Sequence, residues 1–263
     1  MVRSRVETRS LSRDDGTKDV EVVRVPTTLS YGATPDLTLG ATIPYVRKEI
    51  TTRSGGGKSE TTLDGLADIF LAGKYRYFER NYPGGSTQLA ILGAVKLPTG
   101  DTDARDSSGT LLPVSDQLGS GSVDYVGALT ATSVFDYDWA AHASVLYKIN
   151  TEGDRNFQVG NFLNYNLAVS RLIYHEPYPG PEVYIGLELN GEFNARNELN
   201  GDDLADSGGN KIFVSPTLVA FLARNWTLEA SVQLPVIEDL NGNQPEEGVR
   251  FVLGFRFQYA TFF

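Results

Sequence analysis

The 263-residue chain has no cysteine, which removes disulfides, thiolate metal sites and thiol nucleophiles together and leaves every redox compartment open. It also lacks long apolar runs. The longest stretches free of Asp, Glu, Lys and Arg are 15 residues, Asn81–Val95 and Asn156–Ser170. Both contain Asn and Gly and fall short of the roughly 18 apolar residues of a membrane-spanning helix. Basic residues are few: 23 Lys and Arg face 33 Asp and Glu, a formal net charge of -10. That balance excludes phosphate-driven nucleic-acid binding, which needs clustered cations. The first nine residues, Met1 to Arg9, have no apolar core of the secretory type, so a secreted reading implies a trimmed chain.

What is present favours strands. There are 27 glycines, 13 tyrosines and 13 phenylalanines against one methionine, a balance of turn formers and β-favouring aromatics. With 41% hydrophobic and 21% charged residues the chain is expected to fold rather than remain disordered. Single barrels reach about 250 residues, and with no linker in sight one domain over residues 1–263 is expected.

Period-2 alternation is clearest near the C-terminus, where Val249, Phe251, Leu253, Phe255, Phe257, Tyr259 and Phe263 share one parity and Arg250, Gly254, Arg256 and Gln258 the other. Applied throughout, the pattern predicts twelve strands: about 2–12, 19–33, 37–50, 63–80, 86–98, 120–135, 139–150, 157–174, 182–194, 210–222, 226–238 and 247–262. Short turns at 34–36, 82–85, 136–138, 175–181 and 223–225 fall at one end. Longer polar loops at 51–62, 99–119 and 195–209 fall at the other. An even strand count with short turns opposite long loops predicts an all-β fold, a transmembrane up-and-down antiparallel β-barrel, whose closure satisfies every strand edge. A soluble barrel would carry Lys and Glu on its outward parity, whereas here the polar parity is rich in Thr, Ser, Asn, Gln and Gly. Tyr31, Tyr45, Tyr77, Tyr147, Tyr184 and Trp226 near strand ends are expected to form interfacial girdles.

An ordered series of strings then stands out: Gly65-Leu66-Ala67-Asp68, Gly73-Lys74-Tyr75, Lys96-Leu97-Pro98-Thr99-Gly100, Leu118-Gly119-Ser120-Gly121-Ser122 and Tyr147-Lys148-Ile149-Asn150-Thr151-Glu152-Gly153. Glu188-Leu189-Asn190-Gly191, Asp206-Ser207-Gly208-Gly209, Ser215-Pro216, Gln233-Leu234-Pro235-Val236 and Leu240-Asn241-Gly242 follow. The series resembles the outer-membrane channel family labelled transporter of the meta-pathway of phenol degradation, over about residues 19–263. The resemblance implies a 12-stranded channel, often encoded beside catabolic genes for aromatic or other apolar compounds. Members typically carry a signal peptide and a further segment before the first strand; the N-terminus of this sequence departs from that pattern, which leaves open whether such a segment plugs the lumen.

The function expected is passive passage of small hydrophobic or aromatic molecules across a Gram-negative outer membrane, with no cofactor and no metal. Its partners are outer-membrane lipid, lipopolysaccharide and small apolar solutes, and the barrel is expected to be a monomer. The rival enzyme reading rests on His142 and Ser144, two apart on one strand face with Asn156 beyond, which resembles the outer-membrane phospholipases. Their lumen parity argues against lipid chemistry. A third reading is a structural barrel that binds partners through its loops. His175 has no second His near it for zinc. Gly119 to Ser122 lacks the Gly-Lys-Ser/Thr and the helix of a phosphate loop. Asp101, Asp103 and Asp106, with Asp202, Asp203 and Asp206, read as solubilising charge or cation bridges to lipopolysaccharide before they read as a calcium site.

Two groups of lumen residues are expected to matter. Leu111, Leu112 and Val114 form an apolar island in the long loop and, with Phe70 and Phe162, a path for apolar solute, the alternative being simple anchoring of the loop. Arg3, Arg5, Arg9, Arg24, Arg250 and Arg256 fall on strands that meet when the barrel closes, facing Glu188, Glu192 and Glu229. A symmetric last hairpin puts Glu229 across from Arg256. Either the charges set a transverse field over the pore or they pair locally to fill it.

Overall fold

The computed structural model describes residues 1–13, 15–54, 57–106, 108–177 and 180–259. Its strands are β1 (Val2–Ser12), β2 (Lys18–Gly32), β3 (Leu37–Ser54), β4 (Gly57–Leu66), β5 (Ile69–Tyr82), β6 (Gly85–Leu97), β7 (Asp124–Phe135), β8 (Trp139–Ile149) and β9 (Phe157–Gln158). They continue with β10 (Phe162–His175), β11 (Glu182–Asn194), β12 (Glu198–Leu199), β13 (Asp202–Asp203), β14 (Gly209–Ala223), β15 (Trp226–Leu240), β16 (Glu246–Glu247) and β17 (Arg250–Phe257). β1 bonds to β2 on one edge and to β17 on the other, so the sheet closes on itself. β4 and β5 both pair with β3 and form one stave, and β16 continues the stave of β17 along β1, which gives twelve staves.

Lipid dictates the faces. Leu29, Leu71, Leu129, Leu167, Leu187 and Leu253 are among many large apolar side chains left exposed on the outer surface, far more than a soluble surface tolerates. β8 has 11 residues; at about 3.3 Å each and about 40° tilt it gains a height of about 28 Å, close to the roughly 25 Å apolar band of an outer-membrane barrel. Tyr31, Tyr77 and Trp226 are exposed toward the short turns, and Tyr45 and Tyr147 toward the long loops. Tyr184 is not in a girdle. It shares parity with Glu182 and Glu188 in the pairing with β14, which has no slip, so it faces the lumen, where its ring meets Phe221 edge-on at 5.9 Å.

Several boundaries differ from the sequence pattern for local reasons. The polar stretch 51–62 is strand rather than loop: β3 and β4 continue as a hairpin pairing Thr51 with Glu60 and Thr52 with Ser59. The stave predicted at 63–80 is interrupted at Ala67–Asp68, where the Ala67 amide turns to Pro44 O at 2.9 Å. β7 starts at Asp124, because Ser120 and Ser122 bond to neighbouring side chains and Gly121 takes φ +71°. Phe157–Gln158 leaves the stave predicted at 157–174 and joins β12 and β13 in a small sheet among the long loops. Of the last predicted strand, residues 260–263 lie outside the described residues.

Candidate functional site

Several of the strings singled out in the sequence converge at the loop end of the barrel. Asp68, in the break between β4 and β5, accepts the amides of Gly100 (2.9 Å) and Ser120 (3.1 Å). Its carboxylate pairs with Lys96 at 2.9 Å, and Lys96 reaches Asp124 at 2.7 Å, which Lys148 meets at 3.0 Å. Asp68, Lys96 and Asp124 are all buried, and alternating charges with backbone donors satisfy groups that would otherwise be costly to desolvate. This cluster holds both ends of the long loop. Gly100 and Gly119 touch backbone to backbone, so that a Cβ on Gly119 would lie 2.3 Å from Gly100 O.

From that anchor the loop folds over the neighbouring staves, β2 to β4. Leu112 packs with Val20, Ile50 and Leu63 in a small apolar cluster. Asp116 pairs with Lys18 at 2.8 Å, and Lys48 donates to Gln117 O at 2.5 Å. Gln117 in turn holds Ala104 N at 2.9 Å and Leu112 O at 3.0 Å. The loop is thus a fixed crossbar over the β2–β4 side of the mouth. Leu112 belongs to its anchor, Leu111 is half-buried in a bridge to Arg105, and Val114 lines the chamber beneath together with Phe70. Phe162 lines a different, deeper chamber.

The outer chamber encloses about 650 Å³ and the deeper one about 570 Å³. Arg9, Val22 and Arg24 line both and mark the passage between them. Around the deeper chamber Arg250 is bidentate to Glu192 at 2.7 and 3.0 Å. It also joins Arg9 on Glu247, whose side chain has no exposed surface, and Lys211 reaches the same carboxylate at 2.9 Å. Glu238 pairs with Lys211 at 3.1 Å. Lower down Glu229 is shared by Arg256, at 2.7 Å, and Arg3. The register places Thr227 across from Arg256 and Gly254 across from Glu229, so that pair forms diagonally instead of directly; the last hairpin is not symmetric as assumed. Arg5 has only Glu7 at 3.8 Å, and among the described residues Arg24 has no carboxylate within ion-pair reach. Glu188 receives Asn190 Nδ2 at 3.4 Å.

Parity reading missed Glu238 and Glu247. Both lie on what the uninterrupted alternation makes the lipid face, and a one-residue slip turns each inward. β15 slips at Val236, between the pairs Ile212–Ile237 and Phe213–Pro235, and the chain slips at Gly248, between Leu11–Glu247 and Thr8–Phe251. A carboxylate on lipid parity was the available signal, since lipid does not tolerate one. Glu7 had no such excuse, because it shares parity with Arg5.

His142, Ser144 and Asn156 are engaged separately. His142 Nδ1 lies 3.0 Å from Thr132 Oγ1, Ser144 Oγ accepts Asn166 Nδ2 at 3.2 Å, and Asn156 Nδ2 donates to Asn200 in the loops at 3.0 Å. Ser144 is one end of a lumen ladder that continues through Asn166 and Asn190 to Ser215. The loop carboxylates cap turns: Asp106 accepts Thr110 N at 2.9 Å and Asp206 accepts Asn243 N at 2.8 Å.

Comparison with known proteins finds a match to the family described as MetA-pathway of phenol degradation over residues 12–247. Among solved structures the chain is similar to an outer membrane channel from Pseudomonas putida F1, with a TM-score of 0.67 and 15% identity over 98% of this chain and 95% of that one. It is also similar to the β-domain of a Bordetella autotransporter, with a TM-score of 0.53 and 14% identity over 98% of each chain. The transport unit of the autotransporter AIDA-I from Escherichia coli has a TM-score of 0.50 and 12% identity, over 98% of this chain and 89% of that one. These likenesses concern the fold, that of an outer-membrane barrel. No curated protein matches in sequence.

Proposed function

Because the chain belongs to the family of the MetA-pathway of phenol degradation, we propose that its barrel is a passive outer-membrane channel for small hydrophobic or aromatic molecules. One observation carries this reading: the lumen is hollow, with two chambers joined at Arg9, Val22 and Arg24. Each is within the roughly 300–1,000 Å³ of small-molecule sites. Eight staves would let side chains fill the interior, while twelve leave room. The mouth admits apolar solute past Val114, Phe70 and Leu118, beside Phe157 and Val159 from the far loops. The similar Pseudomonas channel has the same architecture. In this reading the barrel acts as a monomer in lipid, with its acidic loops bridged to lipopolysaccharide by divalent cations.

Proteoliposomes test it. A single-ring aromatic such as toluene or benzyl alcohol should equilibrate faster than in protein-free vesicles, with small, steady ionic conductance and no release of fatty acid. A folded barrel that passes neither ions nor aromatics, or one that hydrolyses phospholipid through Ser144, overturns the reading.

A further inference from the structure

The charges around the deeper chamber divide into two sets with different balances. In the upper set Arg9, Arg250 and Lys211 meet Glu192, Glu238 and Glu247, three cations to three carboxylates, all in close pairs. In the lower set Arg3, Arg5, Arg24 and Arg256 face Glu7, Glu188 and Glu229, four cations to three carboxylates among the described residues, and of these carboxylates Glu7 and Glu229 form the ion pairs. Geometry identifies the uncompensated members. Arg3 and Arg256 share Glu229, whereas Arg5 holds Glu7 loosely at 3.8 Å and, among the described residues, Arg24 holds no carboxylate. Glu7 and Arg24 are cross-strand neighbours on β1 and β2, and Arg5 is two residues from Glu7, so both guanidinium groups belong to one short stretch of wall.

We infer that this stretch is a carboxylate subsite, and that the solutes the pore favours are small aromatic monocarboxylates. A guanidinium presents a planar fork that a carboxylate fills with two parallel hydrogen bonds, stronger than neutral ones. Phe162, Val22 and Val252 line the same chamber and supply an apolar wall for a ring. Glu188 and Glu7, in the same lining, oppose a second negative charge and restrict the fit to one carboxylate. The position also suits traffic, since Arg24 lies at the junction of the two chambers. The route through the pore rests on the channel reading above; the binding itself does not.

The test uses 4-fluorobenzoate and the neutral, similarly shaped 4-fluorobenzyl alcohol, titrated against the barrel in nanodiscs and followed by fluorine NMR. The acid should bind in a saturable manner, about tenfold or more tighter than the alcohol, and more weakly as salt rises. Arg24→Gln should remove most of that preference and the Arg5→Gln, Arg24→Gln double variant all of it, with the heat-modifiable gel mobility of a folded barrel unchanged. Arg24→Lys, which keeps the charge without the fork, should fall between. Equal binding of acid and alcohol by the unaltered protein, or a preference that survives the double substitution, overturns the subsite. Absence of flux in vesicles with the acid preference intact overturns the channel and leaves the subsite standing; flux without the preference does the reverse.

Discussion

Glu247 is the residue on which the upper lumen depends. Its carboxylate has no exposed surface and is held by Arg9, Arg250 and Lys211. Glu247→Gln leaves three cations around a neutral amide, and removing one partner from a buried ionic cluster costs about 3 kcal/mol or more. A lower urea midpoint for the barrel in vesicles should report it. Arg24→Gln, where no ion pair is lost, should shift the same midpoint by less than about 0.5 kcal/mol. Asp106 offers a pH-dependent counterpart outside the membrane. The Ser108 hydroxyl, donating at 2.6 Å, and the Thr110 amide hold its carboxyl below the ordinary 3.8. A depressed acid stabilises its turn at all higher pH and loses that contribution only as pH falls through the lowered value. Slow exchange of the Thr110 amide should therefore persist as pH falls through 3.8 and disappear only further below it, and in Asp106→Asn it should be insensitive to pH over that range apart from the intrinsic exchange rate.

Among the elements the crossbar loop invites dissection, because its apolar island has two parts. Leu112 is buried in the anchor and Val114 faces the outer chamber. Val114→Ser should slow entry of an apolar solute while small-ion conductance stays similar, since the loop keeps its place. Leu112→Ser or Gly119→Ala should act differently. The first exposes a hydroxyl to the Val20, Ile50 and Leu63 cluster, and the second forces a methyl to within 2.3 Å of Gly100 O. Both should release the loop and raise single-channel conductance. Unchanged conductance in both would show that the crossbar does not limit the pore. The strings that carried the family resemblance gain their meaning at this scale: Asp68, Lys96, Gly100, Gly119, Ser120 and Lys148 lie far apart in sequence and assemble one latch.

For the whole barrel, the two faces predict opposite responses. Leu253, 61% exposed near the middle of β17, faces lipid, and Leu253→Arg should cost about 2–4 kcal/mol in the vesicle unfolding experiment. Charge changes in the lumen should alter selectivity instead. Reversing Arg5 and Arg24 to Glu turns the unpaired part of the wall negative, so the cation-to-anion permeability ratio should rise several-fold in a reversal-potential measurement, a response expected of a charged pore. An intact barrel with an unchanged ratio would leave these charges a packing role alone.

The sequence by itself determined the barrel. Alternation is a local property, readable residue by residue, and with turns of contrasting length it predicted the twelve-stave count, the lipid face and the first strand, Val2–Ser12. It also put the six arginines and Glu188, Glu192 and Glu229 on lumen parity. Tertiary structure alone decided which of them meet, because pairing depends on register, and one-residue slips at Val236 and Gly248 bring in Glu238 and Glu247 and change the partners of Arg9, Arg250 and Lys211. The same holds for the loop. Its island was visible as composition, but the division of Leu112 from Val114 follows from where the Asp68–Lys96–Asp124 cluster fixes its ends, a set of contacts between distant parts of the sequence that no periodicity encodes.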